Sequence, residues 1–363
     1  MPKQTAKEAI WPVTQLFVLS ASILITIFLL KAASDFIVPF LIAVAIAVIL
    51  APLFTWLESK RIPKGVSLLA VIVISLIPVI LVGGYVAEEA AAFSANYQNI
   101  KASFTQSLQH FFAGLSQYGI VVDEAKVDLI LQKSNVSAVL RKLAAQANEQ
   151  FSNFLLIFFM VAFMLMESAH FYNKMEKIAQ TYRLDGTVLQ ELLDKVKSYF
   201  SIKVKTSLLT ALWVLAILWF YEVPYYYLWA VLAFALNFIP VIGSILAAIP
   251  AVAFALVSHG IGTALWVALW YVAVNMVVGN ILEPKIMGKG LGLSALVIFL
   301  SMTFWGWVFG PAGMILSVPL TMIVQYLFDH YEQTRWIALL LSDYETNTTQ
   351  GGTDAKNDNE TGA

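Results

Sequence analysis

The sequence contains no cysteine. That excludes disulfides, thiolate nucleophiles and iron–sulfur sites. Histidine is scarce: only His110, His170, His259 and His330 occur, and none are spaced as metal ligands. Charge is scarce as well. Asp, Glu, Lys and Arg make up 12% of the chain, against about 25% in soluble domains. The formal net charge of −1 argues against a nucleic-acid partner. There is no Walker A loop, no HExxH helix and no G-x-S-x-G elbow. An ATP-driven pump would therefore need a separate ATPase subunit. No nucleophile–base arrangement points to an enzyme, and no cofactor or metal is expected.

Apolar residues dominate instead: 60% of the 363 residues are hydrophobic and the mean hydropathy is +0.77. The fold class is an all-α polytopic membrane protein, partnered by the lipid bilayer. Apolar runs at roughly 13–33, 36–57, 66–86, 151–166, 207–221 and 263–281 read as six ordinary spans. Residues 1–87 form an N-terminal three-helix membrane segment. Residues 88–150 are polar, and Tyr97, Ile100, Phe104, Leu108, Phe111 and Leu115 keep a helical stripe, so this segment reads as a small extramembrane helical insert. A further helix is expected over Gly186–Tyr199, ahead of the fifth span. Residues 151–345 form the transport core, and 346–363 are a polar, low-complexity, disordered tail.

Two apolar stretches inside that core are interrupted at their centres: Leu228 to Leu256 and Leu293 to Val324. Pro240 and Gly243 divide the first; Gly310, Pro311 and Gly313 divide the second. Proline removes an amide donor and glycine permits positive φ. Thirty-one helical residues would run about 46 Å, well beyond about 30 Å of hydrocarbon. The stretches therefore read as two broken membrane hairpins, 227–257 and 291–328; two ordinary kinked helices are the alternative. Pro250 follows the first break and Pro319 the second at similar spacing, a weak internal repeat. Paired breaks of this kind mark transport sites, because broken backbone survives at membrane depth only where protein or water covers it.

Free amides beside Gly243 and Gly313, with Asn237, Pro240, Asn275, Asn280 and Gly310, make up the expected binding site for a small polar solute. Asn275 and Asn280 are five apart, about 140° around a helix, and need not face one cavity. Glu283 is the expected ion-coupling residue. It follows Asn280 by three, which puts the two on one helix face, and Pro284 should end that helix. Burial disfavours a charged carboxylate and would let it carry a proton. The alternative is a surface ion pair of Glu283 with Lys285 or Lys289. Lysine and arginine bias places the 58–64 loop and residues 173–205 in the cytoplasm, and with a returning first hairpin both termini lie there.

Long phrases in the second half of the chain carry a family resemblance. LNFIPVIGSILAAIP, VVGNILEPKIMGKGLGLSALVIFLSM and FGPAGMILSVPLTMIV resemble the signature segments of the autoinducer-2 exporter family of bacterial membrane transporters. FIVPFLIAVAIAVILAPL at 36–53 and IALLLSDYE at 337–345 extend the likeness over nearly the whole chain. Gly279, Pro284 and Gly288, with Pro250, Pro311 and Pro319, are the structural motif positions. Within the family the chain is most similar to the branch named for transport of the quorum-sensing signal autoinducer-2. The resemblance implies a secondary exporter in the bacterial inner membrane, self-associating into homo-oligomers, with pentamers expected. It implies a neutral, hydroxyl-rich solute, for which hydrogen-bonding groups must replace water. Other family members are assigned sodium–proton antiport, so cation–proton exchange and an uncoupled channel-like assembly stand as alternatives.

Overall fold

The computed structural model describes residues 6–116, 154–168, 174, 177, 186–287, 292–330 and 332–342. Among the described residues the chain is helical and contains no strand. In order come α1 (Ala6–Ala32), α2 (Ser34–Ser59), α3 (Lys64–Ser116), α4 (Phe154–Ser168) and α5 (Gly186–Phe220). Then follow α6 (Tyr226–Leu236), α7 (Gly243–Asn275), a π-helical segment (Met276–Leu282), α8 (Glu283–Met287), α9 (Ala295–His330) and α10 (Arg335–Leu341). Five helical runs are long and apolar enough to cross a membrane, and three shorter apolar helices accompany them. This is a multi-pass membrane protein.

Several boundaries differ from the expected ones. The third span and the amphipathic stripe are one 53-residue helix, α3. No Pro or Gly stands between Tyr85 and Ala113, so nothing in the sequence stops it. At 1.5 Å per residue it is about 80 Å long, and its polar part follows the apolar run Lys64–Phe93. The rest of the expected insert, 117–150, and the tail, 346–363, lie outside the described residues, as do Gly288 and Lys289. The helix expected over Gly186–Tyr199 and the fifth span are likewise a single 35-residue helix, α5. The lysines between them had suggested a loop; they sit on helical backbone instead.

Both interrupted stretches reverse direction. In the first, α6 ends at Leu236 and the turn 237–242 leads into α7. Val241 takes a left-handed conformation there, φ 63°, a costly one for a β-branched residue. The turn is so tight that a Cβ on Gly243 would stand 1.8 Å from the Leu236 carbonyl oxygen. In the second, α9 breaks at Gly310, φ 66° and ψ −150°. Pro311 then opens the returning arm, where its missing N–H costs nothing. A Cβ on Gly313 would lie 1.9 Å from the Trp305 carbonyl oxygen. Across this turn the Trp305 indole Nε1 donates to Thr321 Oγ1 at 3.0 Å. Sixteen residues of unbroken helix would hold those two groups about 24 Å apart. A third break, Gly260 at φ 79°, divides α7 between the hairpin arm and the sixth expected span.

α5 is the axis of the packing. Its second half, with Val214 and Leu218, is buried against α6 and α7. Ala247, Ala251 and Ala255 recur every fourth residue on α7, all buried, and meet Ala230 and Ala233 of α6. Small residues let membrane helices approach closely, where packing rather than water expulsion supplies the attraction. The first half of α5, with Leu192, Val196, Tyr199 and Phe200, packs on Ala45 of α2 and on Leu316, Val318 and Met322 of the second hairpin. A third cluster joins α2, α3 and α4 through Phe54, Val71 and Leu165. α5 thus touches one hairpin at each end.

The outer end of the first hairpin is tied to α3. The Glu89 carboxylate accepts the backbone N–H of Leu228 at 2.7 Å, in the first turn of α6. Tyr85 stacks on Tyr227 at 5.1 Å, and Phe93 packs against Tyr225, Trp229 and Phe254.

Candidate functional site

Between its two apolar contact zones, α5 turns polar on the inside. Lys203, Thr206, Ser207 and Thr210 are all buried. With Tyr199 they occupy positions i, i+4, i+7, i+8 and i+11, which is one face of an α-helix. A buried polar row in a membrane protein must find partners, since nothing apolar satisfies it. Two come from the interrupted region. Asn237, at the turn of the first hairpin, donates its Nδ2–H to Ser207 Oγ at 3.0 Å. Glu283, at the start of α8, meets Lys203: Nζ to Oε1 is 2.8 Å, with side-chain exposures of 9% and 15%. The Tyr199 hydroxyl is buried and has no hydrogen-bond partner, a condition that is rare and calls for a water or a ligand.

The π segment explains how Glu283 reaches this row. Tyr271, Val274 and Val278 mark the buried side of the incoming helix. Five residues beyond Val278, an α-helix would place Glu283 about 140° away from that side. A π turn bonds i to i+5, and the Glu283 N–H does donate to the Val278 carbonyl. Glu283 therefore lies one turn above Val278, on the buried side. The same geometry corrects the reading of its neighbours. Asn280 is exposed while Glu283 is largely buried, so the two do not share a face. Asn275 is half-buried and lies one π turn below Asn280. Pro284 does not end the helix; it sits in the first turn of α8. The partner of Glu283 is Lys203 rather than Lys285, the described one of the two expected lysines.

Of the residues expected at the site, Asn237 and Glu283 come together along α5. Pro240 and Gly243 are buried in the turn beside Asn237. Gly310 and Gly313 belong to the second hairpin, whose returning arm meets α5 through Leu316, Val318 and Met322. Pro250 and Pro319 stand inside α7 and α9, and Gly279 packs next to Asn275 Oδ1. Lys203, Thr206, Ser207 and Thr210 were missed. Their helical spacing was visible, but it vanishes once a helix is started at Ser207 and the lysine is assigned to a loop.

The chain matches the family described as AI-2E family transporter over residues 16–333. It is similar to the AI-2 transport protein TqsA of Escherichia coli (strain K12), 37% identical over 314 residues, 86% of this chain and 91% of that protein. A putative transport protein of Haemophilus influenzae is 35% identical over 332 residues, 90% of this chain and 95% of its own. The putative transport protein YhhT of Escherichia coli (strain K12) is 31% identical over 321 residues, 88% of this chain and 92% of its own.

Proposed function

This chain belongs to the AI-2E transporter family, and from that premise we propose that it exports a small polar solute, autoinducer-2, across the bacterial inner membrane, driven by the proton gradient. The observation that carries this reading is the polar row on α5, which links both kinds of group that coupled export needs. Neutral donors and acceptors, Asn237, Ser207, Thr206 and Thr210, suit an uncharged, hydroxyl-rich solute. One buried ion pair, Lys203–Glu283, suits a coupling charge. The similarity to TqsA supports the choice of solute.

In this reading, the solute exchanges water for the asparagine, the hydroxyls and the free amides at the starts of the hairpins' returning arms, near Gly243 and Gly313. Asn275, Asn280 and Gly310 complete the solute path at its rim. A proton taken by Glu283 cancels its attraction for Lys203 and releases α8 from α5. Return of the proton to the other side restores the pair. Both termini lie in the cytoplasm, and the hairpins enter and leave the membrane on one side. The functional unit is a homo-oligomer.

The test is accumulation in cells that make autoinducer-2 but lack this gene. Re-expression should lower the internal signal and raise the external one. Glu283→Gln should abolish that difference while the protein still reaches the membrane. In everted vesicles, uptake should require an imposed pH gradient. Unchanged internal signal on re-expression rejects the solute; uptake that ignores the gradient rejects the coupling.

A further inference from the structure

α5 has a second polar face, opposite the buried one. Lys197, Ser201 and Lys205 follow one another at four-residue intervals, with Asp194 and Ser198 beside them. On a helical wheel this stripe is centred roughly half a turn from Tyr199, Lys203 and Thr210. These five residues line a cavity of about 500 Å³. Its far walls are apolar: Val48 and Pro52 of α2 and Ile286 of α8. A volume in this range holds a sizeable organic group rather than a lone inorganic ion.

The depth of the stripe is informative. The apolar run of α5 spans Gln190–Phe220, 31 residues. That is about 46 Å of helix against about 30 Å of hydrocarbon. Placing Phe220 at one edge of the hydrocarbon leaves roughly the first eleven residues at headgroup depth on the other side. Lys197 then stands among the headgroups, and Lys205 a little more than a turn inside the hydrocarbon. Both lysines are exposed on the protein surface. An exposed ammonium at that depth must reach outward along its own stem or find an anion. Two ammonium groups face one carboxylate here, so the cavity favours an anion. Its apolar walls favour one that carries hydrocarbon.

We propose that the cavity between α2, α5 and α8 binds an anionic phospholipid, with its phosphate between Lys197 and Lys205. Ser198 and Ser201 donate to the phosphate oxygens, and an acyl chain runs along Val48, Pro52 and Ile286. Asp194, at the outer end, accepts from headgroup hydroxyls. The site is separate from the polar row on the other face of α5, so it stands whether or not the transported solute is the one proposed above.

The test uses the purified full chain in neutral detergent, titrated with phosphatidylglycerol, with phosphatidylcholine of the same acyl chains, or with glycerol 3-phosphate. Thermal unfolding is the readout. Phosphatidylglycerol should raise the midpoint, and the two other ligands should not. Lys197→Gln/Lys205→Gln should bind it about thirty-fold more weakly, from two lysines each contributing about one unit of surface attraction. Lys197→Arg/Lys205→Arg should retain it. Should the glutamine variant fail to fold, Lys205→Cys supplies a second route, because the chain has no other thiol. Aminoethylation of that thiol should restore binding and sulfonatoethylation should not. An equal response to phosphatidylcholine, an equal response to glycerol 3-phosphate, or undiminished binding by the glutamine variant would each overturn the proposal. So would a change of oligomeric state in that variant at constant lipid, which would give the cavity to a second copy of the chain.

Discussion

Lys203 and Glu283 are eighty residues apart in the chain, yet their side chains meet at 2.8 Å with little exposure. Burying two charges gains little net stability, but removing one leaves the other uncompensated. Lys203→Met and Glu283→Leu should each destabilise the protein by about 3–5 kcal/mol. The double variant should recover most of that loss, and should still fail to transport. Thermal unfolding of the four proteins in one detergent checks it. Strictly additive losses would show that the two groups do not depend on each other.

Gly243→Ala and Gly313→Ala should be poorly folded, because each new methyl group would overlap a backbone carbonyl in the facing arm. Gly83→Ala and Gly84→Ala meet nothing within 4 Å. Both lie inside α3, where alanine is favoured over glycine by about 0.5–1 kcal/mol. The prediction is a reversal of sign within one substitution type, read from expression level and unfolding midpoint. Four similar outcomes would contradict the close backbone approach at the two turns.

The bond from Trp305 Nε1 to Thr321 Oγ1 closes the second hairpin. Trp305→Phe and Thr321→Val should each cost about 1 kcal/mol for the lost hydrogen bond, and the pair should be less than additive. A cysteine placed at each position in the thiol-free chain should also cross-link readily. A hairpin that is open in the membrane would give neither coupling nor cross-link.

Glu89 holds the first turn of α6 from the neighbouring helix. Glu89→Ala should speed hydrogen exchange at the Leu228 amide, consistent with loss of a cap worth about 1 kcal/mol. Glu89→Gln should act less strongly, because an acceptor remains while the charge favoured at a helix N-terminus is gone. Exchange at Ala251, on the far arm, should be unaffected by either change. Equal exchange at Leu228 in all three proteins would rule out the cap.

Much of this architecture was legible in the residues. Composition fixes the membrane class, and Gly310–Pro311 marks the second reversal because few other pairs combine positive φ with a ready helix start. Pro240 and Gly243 mark the first in the same way, although Gly243 is required by backbone contact with Leu236. The polar row of α5 was not legible once lysines were taken as evidence of a loop. A buried lysine announces itself only through its partner, and Glu283 reaches Lys203 only because the helix before it is not α. Simple 100° counting assigned Asn280 and Glu283 to one side; local π geometry separates them. No composition rule signals a π turn, so tertiary pairing had to reveal it.

Residues 276–282 carry one amino acid more than an α-helix of the same number of turns would hold. Deleting a single residue there would therefore act less as a shortening than as a twist. Everything downstream would swing by about 100°, carrying the carboxylate away from its cation and bringing a different side chain to the same spot. Chain length in this short stretch sets the aim of α8, and insertions or deletions tolerated elsewhere on a membrane helix should be refused here.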